Sequence, residues 1–129
     1  MAVGTSAYTT AGWLSAIKGT GSAAFGPIQV WAQLHTGNPG AVGTSAVSST
    51  TTRSSASSTV TGDTATSSNT PQWTSWAGTN GEVVSHISFW DASTSGNFLW
   101  SAALSSSKTV NTGDTLTLSS SSLIITTAF

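Results

Sequence analysis

The chain has 129 residues, of which only 5% are charged, and a formal net charge of −1, whereas about 25% of residues are charged in an average soluble domain. This length fits one domain whose core can form without a metal or a disulfide. The lack of cysteine excludes a disulfide framework and a thiolate metal site, and three dispersed cations exclude a basic surface for nucleic acid.

Serine and threonine dominate the sequence and supply the polarity that charged residues usually provide. Both side chains compete for backbone hydrogen bonds within a helix, whereas threonine, valine, isoleucine and aromatic residues suit strands. We therefore predict a single domain over residues 1–129 that is mainly β. It is expected to be an antiparallel, jelly-roll-like β-sandwich over residues 27–127 with one short N-terminal helix over residues 9–18.

The N-terminal third predicts one helix, one strand and one ordered loop. Thr9 or Thr10 can cap the helix, and Gly19 can stop it. Residues 28–34 alternate between apolar and polar side chains, which predicts a strand with a single inner face. Residues 35–43 are rich in glycine and proline, which predicts a defined, non-repetitive loop. The N-terminus lacks a secretory signal and no stretch is long enough to span a membrane, so we expect a product made in the cytoplasm.

The middle of the chain is low in complexity and leaves two interpretations open. Residues 45–68 are mostly serine, threonine and alanine. Residues 50–61 contain enough β-branched side chains for an extended strand, and a disordered linker is the alternative. Residues 72–76 form a short aromatic segment, and Asn80 with Gly81 gives an Asn-Gly turn signal.

The C-terminal half predicts a series of strands joined by turns. Residues 82–90 give the clearest strand pattern, and residues 98–104 are expected to pair with them as a hairpin. Residues 108–110, 115–118 and 123–127 predict the last strands. Strands at this spacing are typical of a β-sandwich.

Four segments carry a resemblance to a known family. They read LHTGNPG at 34–40, ISFWDA at 87–92, LWSAAL at 99–104 and SKTVNTGDTL at 107–116. In this order they resemble small tailed-phage virion structural proteins of the type labelled head decoration or tail fibre protein in actinobacterial phages. The resemblance implies a virion component and implies no catalytic residue.

Residues that could carry chemistry all have simpler structural interpretations. His35 and His86 lack the spacing of metal ligands, so we expect His35 to bond its adjacent loop and His86 to face a neighbouring strand or an interface. No Gly-x-Ser-x-Gly motif accompanies them. Paired catalytic carboxylates would have to come from Asp63, Glu82, Asp91 and Asp114, and the three aspartates stand in turn contexts instead. We therefore predict no enzymatic activity, no cofactor and no metal site.

Six tryptophans are the residues most open to a functional interpretation, because tryptophan can anchor a protein interface or stack on a sugar. Trp31, Trp90 and Trp100 lie in predicted strands, where core packing or a seam between subunits is expected. Trp73 and Trp76 follow Pro71 in an irregular segment. These two residues are the candidate interface, and a plug in the core is the equal alternative.

Three functional classes follow: a virion structural protein, a carbohydrate-binding receptor module and an enzyme. A compact domain without a coiled-coil stalk favours a capsid decoration protein that binds the major capsid protein lattice and stabilises the head. The alternative is a tail fibre or receptor-binding module that recognises a host surface glycan. The scarcity of charge and the tryptophan content favour a homotrimer. We expect the protein on the virion, at the capsid surface or, under the alternative, on the tail.

Overall fold

The computed structural model describes residues 4–18, 29–61, 64–119 and 122–124 of the chain. Within these ranges the protein is mainly β, with antiparallel sheets and one N-terminal helix, which confirms the predicted fold class. The elements are α1 Ala7–Lys18, β1 Trp31–His35, β2 Ser54–Ser55, β3 Ser58–Thr61, β4 Thr64–Ser67, β5 Gln72–Trp73, β6 Glu82–Trp90, β7 Phe98–Val110, β8 Leu116–Thr117 and β9 Ser122–Ile124. No helix in the described ranges combines the length and the apolar character that a membrane crossing requires.

The strands form three sheets. The largest has the order β2-β1-β6-β7, the second has the order β3-β4-β9, and the third pairs β5 with β8. The strand predicted at residues 82–90 is confirmed as β6, and its hairpin with β7 is the longest pairing of the large sheet. The Asn-Gly turn before β6 is also confirmed, since Gly81 has a φ of 76°.

The core lies on one face of the large sheet. The register places Ala32 opposite Phe89 and Leu34 opposite Ile87, and all four side chains are buried. Phe89 stacks on Trp100, with ring centroids 4.4 Å apart. The small β5–β8 sheet packs over this face, so the two sheets enclose an apolar layer of the kind expected in a sandwich.

Strand β1 differs from its prediction in having two covered faces. It begins at Trp31 rather than at residue 28, and both Gln33 and His35 are buried on the face opposite Leu34. The prediction of a single inner face is therefore wrong. The second face is covered by residues 36–47, which follow β1 and fold back on it, and by the side chain of Arg53, which lies further along the chain.

Strand β7 is longer than its prediction, which divided it at residue 104. His86 pairs with Ala103 and Val84 pairs with Lys108, so residues 104–107 all lie opposite Ser85. This irregularity falls at the Ser-rich break that separated the two predicted strands. The backbone nevertheless stays extended through the break to Val110.

Helix α1 begins two residues before its prediction because Ser6, not Thr9 or Thr10, is its cap. The Ser6 hydroxyl accepts a hydrogen bond from the backbone N–H of Thr9 at 3.1 Å, which is the geometry of an N-cap. Thr9 lies inside the helix and donates its hydroxyl to the Leu99 carbonyl at 2.8 Å. The predicted stop at Gly19 lies outside the described residues.

Ser6 also fastens the N-terminal segment to the large sheet. Its backbone N–H donates to the Leu99 carbonyl at 2.7 Å, and its hydroxyl donates to the Phe98 carbonyl. On the other side of Thr5, the N–H of Ser101 donates to the Gly4 carbonyl at 2.8 Å. The segment before the helix therefore pairs with the outer edge of β7.

Replacing Ser6 with alanine should lower the free energy of unfolding by about 1–2 kcal/mol, since it removes a helix cap and a buried tie to the sheet. Urea denaturation followed by circular dichroism would measure the loss. Thr10→Ala is a suitable control because Thr10 is exposed and its hydroxyl contacts only Thr5 and Ser6, which are close to it in sequence. Equal stability of the two variants would contradict the assignment of Ser6 as the cap.

Residues 45–61 adopt a defined path that interrupts the strand predicted at 50–61. Two short strands, β2 and β3, replace it, and the chain turns inward between them because Ala56 is buried. The N–H of Ala56 donates to the Val30 carbonyl at 2.8 Å. Contacts with distant parts of the chain therefore hold this segment in place, although its composition alone also allowed a disordered linker.

Candidate functional site

Trp73 and Trp76, the predicted interface residues, lie in the core of the chain. They are 5% and 2% exposed, respectively. Their indole N–H groups are also satisfied, since Trp73 donates to the Thr52 carbonyl at 2.8 Å and Trp76 donates to the Thr79 carbonyl at 3.1 Å. The structure therefore places both side chains where the core-plug alternative puts them, and in the folded chain neither presents a surface to a partner.

The strand tryptophans divide between the two faces of the large sheet. Trp100 packs on the core beside Phe89, as expected from its strand position. Trp90 is buried on the opposite face and tilts against Phe98 with ring centroids 5.5 Å apart. Trp31 is half-buried at the register position opposite Trp90.

The most elaborate polar arrangement is centred on Arg53, which sits on this second face. Its guanidinium carbon lies 4.0 Å from the centroid of the Trp90 ring, a cation–π contact. Its Nε donates to the Gln33 side-chain oxygen at 3.1 Å. Its Nη1 donates to the carbonyls of Ala92 and Ser95 at 2.8 and 2.7 Å. Burial lowers the pKa of Arg53, but the guanidinium remains protonated.

The turn between β6 and β7 is closed by Asp91. One carboxylate oxygen accepts the backbone N–H of Asn97 at 2.7 Å, and the other accepts the Asn97 side-chain amide at 2.9 Å. The turn role predicted for Asp91 is confirmed. Arg53 reaches the carbonyls of the same turn, so the turn is held from both sides.

His35 lies fully buried in a chain of hydrogen bonds. Its Nε2 is 2.7 Å from the Ser88 hydroxyl, and its Nδ1 is 2.8 Å from the Ser45 carbonyl. Because Trp90 donates its indole N–H to the same Ser88 oxygen at 2.8 Å, the Ser88 proton is free to point at His35. Nδ1–H then donates to Ser45, which confirms the predicted bond to the adjacent loop.

Burial lowers the pKa of His35 below its ordinary value, and the nearby charges of His86 and Arg53 act in the same direction, although the Ser45 carbonyl opposes them. The unfolded chain therefore binds a proton here at a higher pH than the folded chain. Stability from this group is present above about pH 6.5 and is lost as the pH falls from there through the lowered folded pKa.

His35→Gln should remove this part of the pH dependence, as measured by urea midpoints on either side of about pH 6.5. An undiminished loss of stability on acidification of His35→Gln would assign the effect to other groups.

Glu82 binds the segment that follows the 36–47 loop through hydrogen bonds. Its carboxylate accepts the Ser48 hydroxyl, and its Oε2 accepts the Ser49 backbone N–H at 3.0 Å. Burial alone would raise the pKa of Glu82, but these hydrogen bonds lower it overall. Its contribution to stability is lost only below about pH 4.3, which separates it from the effect of His35.

The remaining histidine and acidic side chains also make local hydrogen bonds within the fold. His86 is half-buried, lies opposite His35 across β1 and β6, and contacts the Ser85 hydroxyl through Nδ1 at 2.8 Å. Asp114 closes a turn by accepting the Asn111 N–H at 2.9 Å, as predicted. Asp63 lies outside the described residues. In the part of the chain that the structure describes, no three acidic or histidine side chains gather as metal ligands would.

The exposed surface of the described residues offers no row of aromatic side chains for stacking on a sugar. Large apolar side chains are most exposed on helix α1, at Tyr8 and Leu14, and at Val42 and Val83. Tyr8 alone among these four is aromatic. A glycan-binding module would present solvent-facing aromatic rings in a row, so nothing in the described surface favours that role.

The sequence predicted no structural role for Arg53 or Glu82, although each holds several segments together by hydrogen bonds. The sequence does mark both residues by their rarity, because Arg53 is the chain's one arginine and Glu82 its one glutamate. Only 5% of the residues are charged. A partly buried charge needs hydrogen-bonding partners, because burial without them costs free energy. Composition alone cannot say which partners those are.

Comparison with known proteins gives one family. The family model described as podophage GP4 fiber I protein gp80 matches residues 4–126, which is nearly the whole chain. No curated protein matches the chain.

Proposed function

Because the chain belongs to the podophage GP4 fiber I protein family, and is thus a structural component of a phage virion, we propose that it is a subunit of a fibre on the phage tail. The observation that carries this proposal is the family match over residues 4–126. It agrees with the part of the sequence resemblance that concerns phage virion proteins. It does not support a head decoration protein of the kind found in actinobacterial phages.

The preference for capsid decoration rested on the compact size of the chain, and the family favours the fibre instead. A fibre can gain its length from the stacking of many subunits, so a single domain without a stalk is long enough to be one subunit of a fibre. Binding to the major capsid protein therefore takes second place.

The proposed subunit acts through binding alone. The buried polar side chains described above are occupied in holding loops and turns, which leaves a surface of hydroxyl groups with very few charges. Such a surface resists association poorly in solution, and this property suits a protein whose surface is covered by neighbours in an assembly. We propose that the subunit assembles with copies of itself, as a homotrimer.

Electron microscopy of intact virions with a gold-labelled tag at Phe129 tests the location. The fibre proposal expects label on the tail and none over the head. Virions that carry the untagged protein provide the control for non-specific label. Label distributed over the head would reject the fibre and return the capsid decoration role to first place.

A further inference from the structure

The loop of residues 36–47 is attached to the large sheet through His35. The Nδ1–H of His35 donates to the Ser45 carbonyl at 2.8 Å. Further along the loop, the backbone of Gly43 lies directly against the Phe98 ring, because a Cβ atom on this glycine would come within 2.5 Å of the ring. The loop therefore packs over both His35 and Phe98, and both side chains are buried.

The hydrogen bonds on the other side of His35 leave no place for a second ring proton. The Ser88 hydroxyl donates to Nε2 at 2.7 Å and accepts the Trp90 indole N–H at 2.8 Å. A proton on Nε2 would turn this nitrogen into a donor, so the Ser88 oxygen would receive two N–H groups and its own proton would lose its acceptor. Ser88 is completely buried, where an unpaired polar hydrogen is costly.

The charged and titratable groups that face His35 also oppose its protonation. His86 occupies the paired position on β6, and Arg53 lies on the same face of the sheet. Burial is the main cause that lowers the pKa of His35; the Ser45 carbonyl opposes it, and positive charge on His86 or Arg53 adds to it. The loop contains no charged residue that could balance an imidazolium. A protonated His35 is therefore stable only where water reaches it.

The loop also holds backbone strain beside its attachment. Ala46 has a φ of 49°, in the left-handed region that alanine rarely adopts. It directly follows Ser45, whose carbonyl binds His35. Opening of the loop would release this strain. The hydrogen bonds from residues 48–49 to Glu82 would still hold the chain immediately after the loop.

We propose that residues 36–47 form an acid-released flap, which His35 holds closed while its imidazole is neutral and which opens when the imidazole takes up a proton. Opening brings His35 to water and uncovers the Phe98 ring. The open state binds the proton at about pH 6.5 and the closed state only at a lower pH, so acid favours the open state. The flap assigns the acid sensitivity of His35 to one segment of the chain, and it does not depend on the fibre role.

Amide hydrogen exchange of the purified full chain at about pH 7.5 and about pH 5 tests the flap, with rates corrected for the intrinsic effect of pH. The N–H groups of Thr36, Gly43 and Ser45 report on it, because each donates to a carbonyl within the loop. Their protection should fall by up to about 30-fold at the lower pH. Low urea should leave their exchange unchanged and accelerate that of the β6–β7 amides, because a local opening exposes little surface.

Two variants identify the titrating group. His35→Gln has no ring to protonate and should show the same loop protection at both pH values. His86→Gln is the matched control, because it removes the histidine at the paired position and leaves His35 in place, so the fall in protection should persist. A fall that survives in His35→Gln, or one that disappears in His86→Gln, would overturn the proposal.

The wild type alone can also reject the flap. Loop protection that is the same at both pH values would do so. A fall that the β6–β7 amides share, with the same dependence on urea, would do so too, because it would show unfolding of the whole domain.

If His35→Gln does not fold, Ser88→Ala decides. This change removes the hydroxyl that donates to the neutral Nε2 and so favours the protonated ring. The loop amides should then lose protection at a higher pH than in the wild type. A pH of opening that is unchanged or lower would reject His35 as the residue that holds the flap.

Discussion

Replacing Trp76 with alanine is expected to lower the free energy of unfolding by about 3–5 kcal/mol. Only 2% of the side chain is exposed, so the substitution leaves a large cavity in the core. The backbone of Trp76 is held from both directions, because its N–H donates to the Asp114 carbonyl and its carbonyl accepts the Gly113 N–H, each at 2.9 Å. The surroundings therefore cannot collapse easily into the space.

Urea denaturation followed by circular dichroism measures this loss, and Leu14→Ala provides the matched control. Leu14 is 56% exposed on helix α1, so its truncation should change stability by no more than about 0.5 kcal/mol. Because small domains have a total stability of only about 5–15 kcal/mol, Trp76→Ala is expected to be marginally folded. A Trp76→Ala protein with the stability of the wild type would restore the interface-anchor interpretation of this residue.

The place of Trp76 illustrates what the sequence could not decide. The segment around Trp73 and Trp76 has no periodicity, because β5 has two residues and is followed by a bend. Whether such side chains are buried depends on where the segment docks against β1 and β6, which are distant in sequence. A core position and an interface position need the same type of residue, so residue type left the two alternatives equal.

Local signals, in contrast, predicted the β6–β7 hairpin well. Strand β6 has the predicted bounds because its apolar alternation, its Asn-Gly turn and the polar turn after it all act within a few residues. The start of helix α1 was missed by two residues because Ser6, Thr9 and Thr10 are all capable of capping. Ser6 is the cap because carbonyl groups of β7 accept hydrogen bonds from its backbone N–H and its hydroxyl.

The second covered face of β1 could not be predicted for a related reason. Alternation in residues 28–34 separates apolar from polar positions, and polar positions on a strand usually face water. Gln33 and His35 are buried because the 36–47 loop, Ser88 and Arg53 supply their hydrogen bonds. Those partners come together only in the folded chain, so the pattern in the strand carries no trace of them.

Arg53→Ala is the second substitution with a large expected effect, a loss of about 2–3 kcal/mol of unfolding free energy. It removes the cation–π contact with Trp90 and leaves the buried Gln33 oxygen without its Arg53 donor. It also frees the Ala92 and Ser95 carbonyls of the β6–β7 turn. The effect should be local as well as global, with faster amide hydrogen exchange across residues 91–97.

Arg53→Lys separates the charge of this residue from its shape. A lysine keeps the positive charge over Trp90, but its single ammonium group cannot reproduce the planar fork that reaches Gln33 and the turn carbonyls together. We therefore expect Arg53→Lys to recover less than half of the stability lost in Arg53→Ala and to leave exchange at residues 91–97 elevated. Full recovery by lysine would show that charge alone holds the turn. Wild-type exchange in Arg53→Ala would show that the bonds between Asp91 and Asn97 suffice without the arginine.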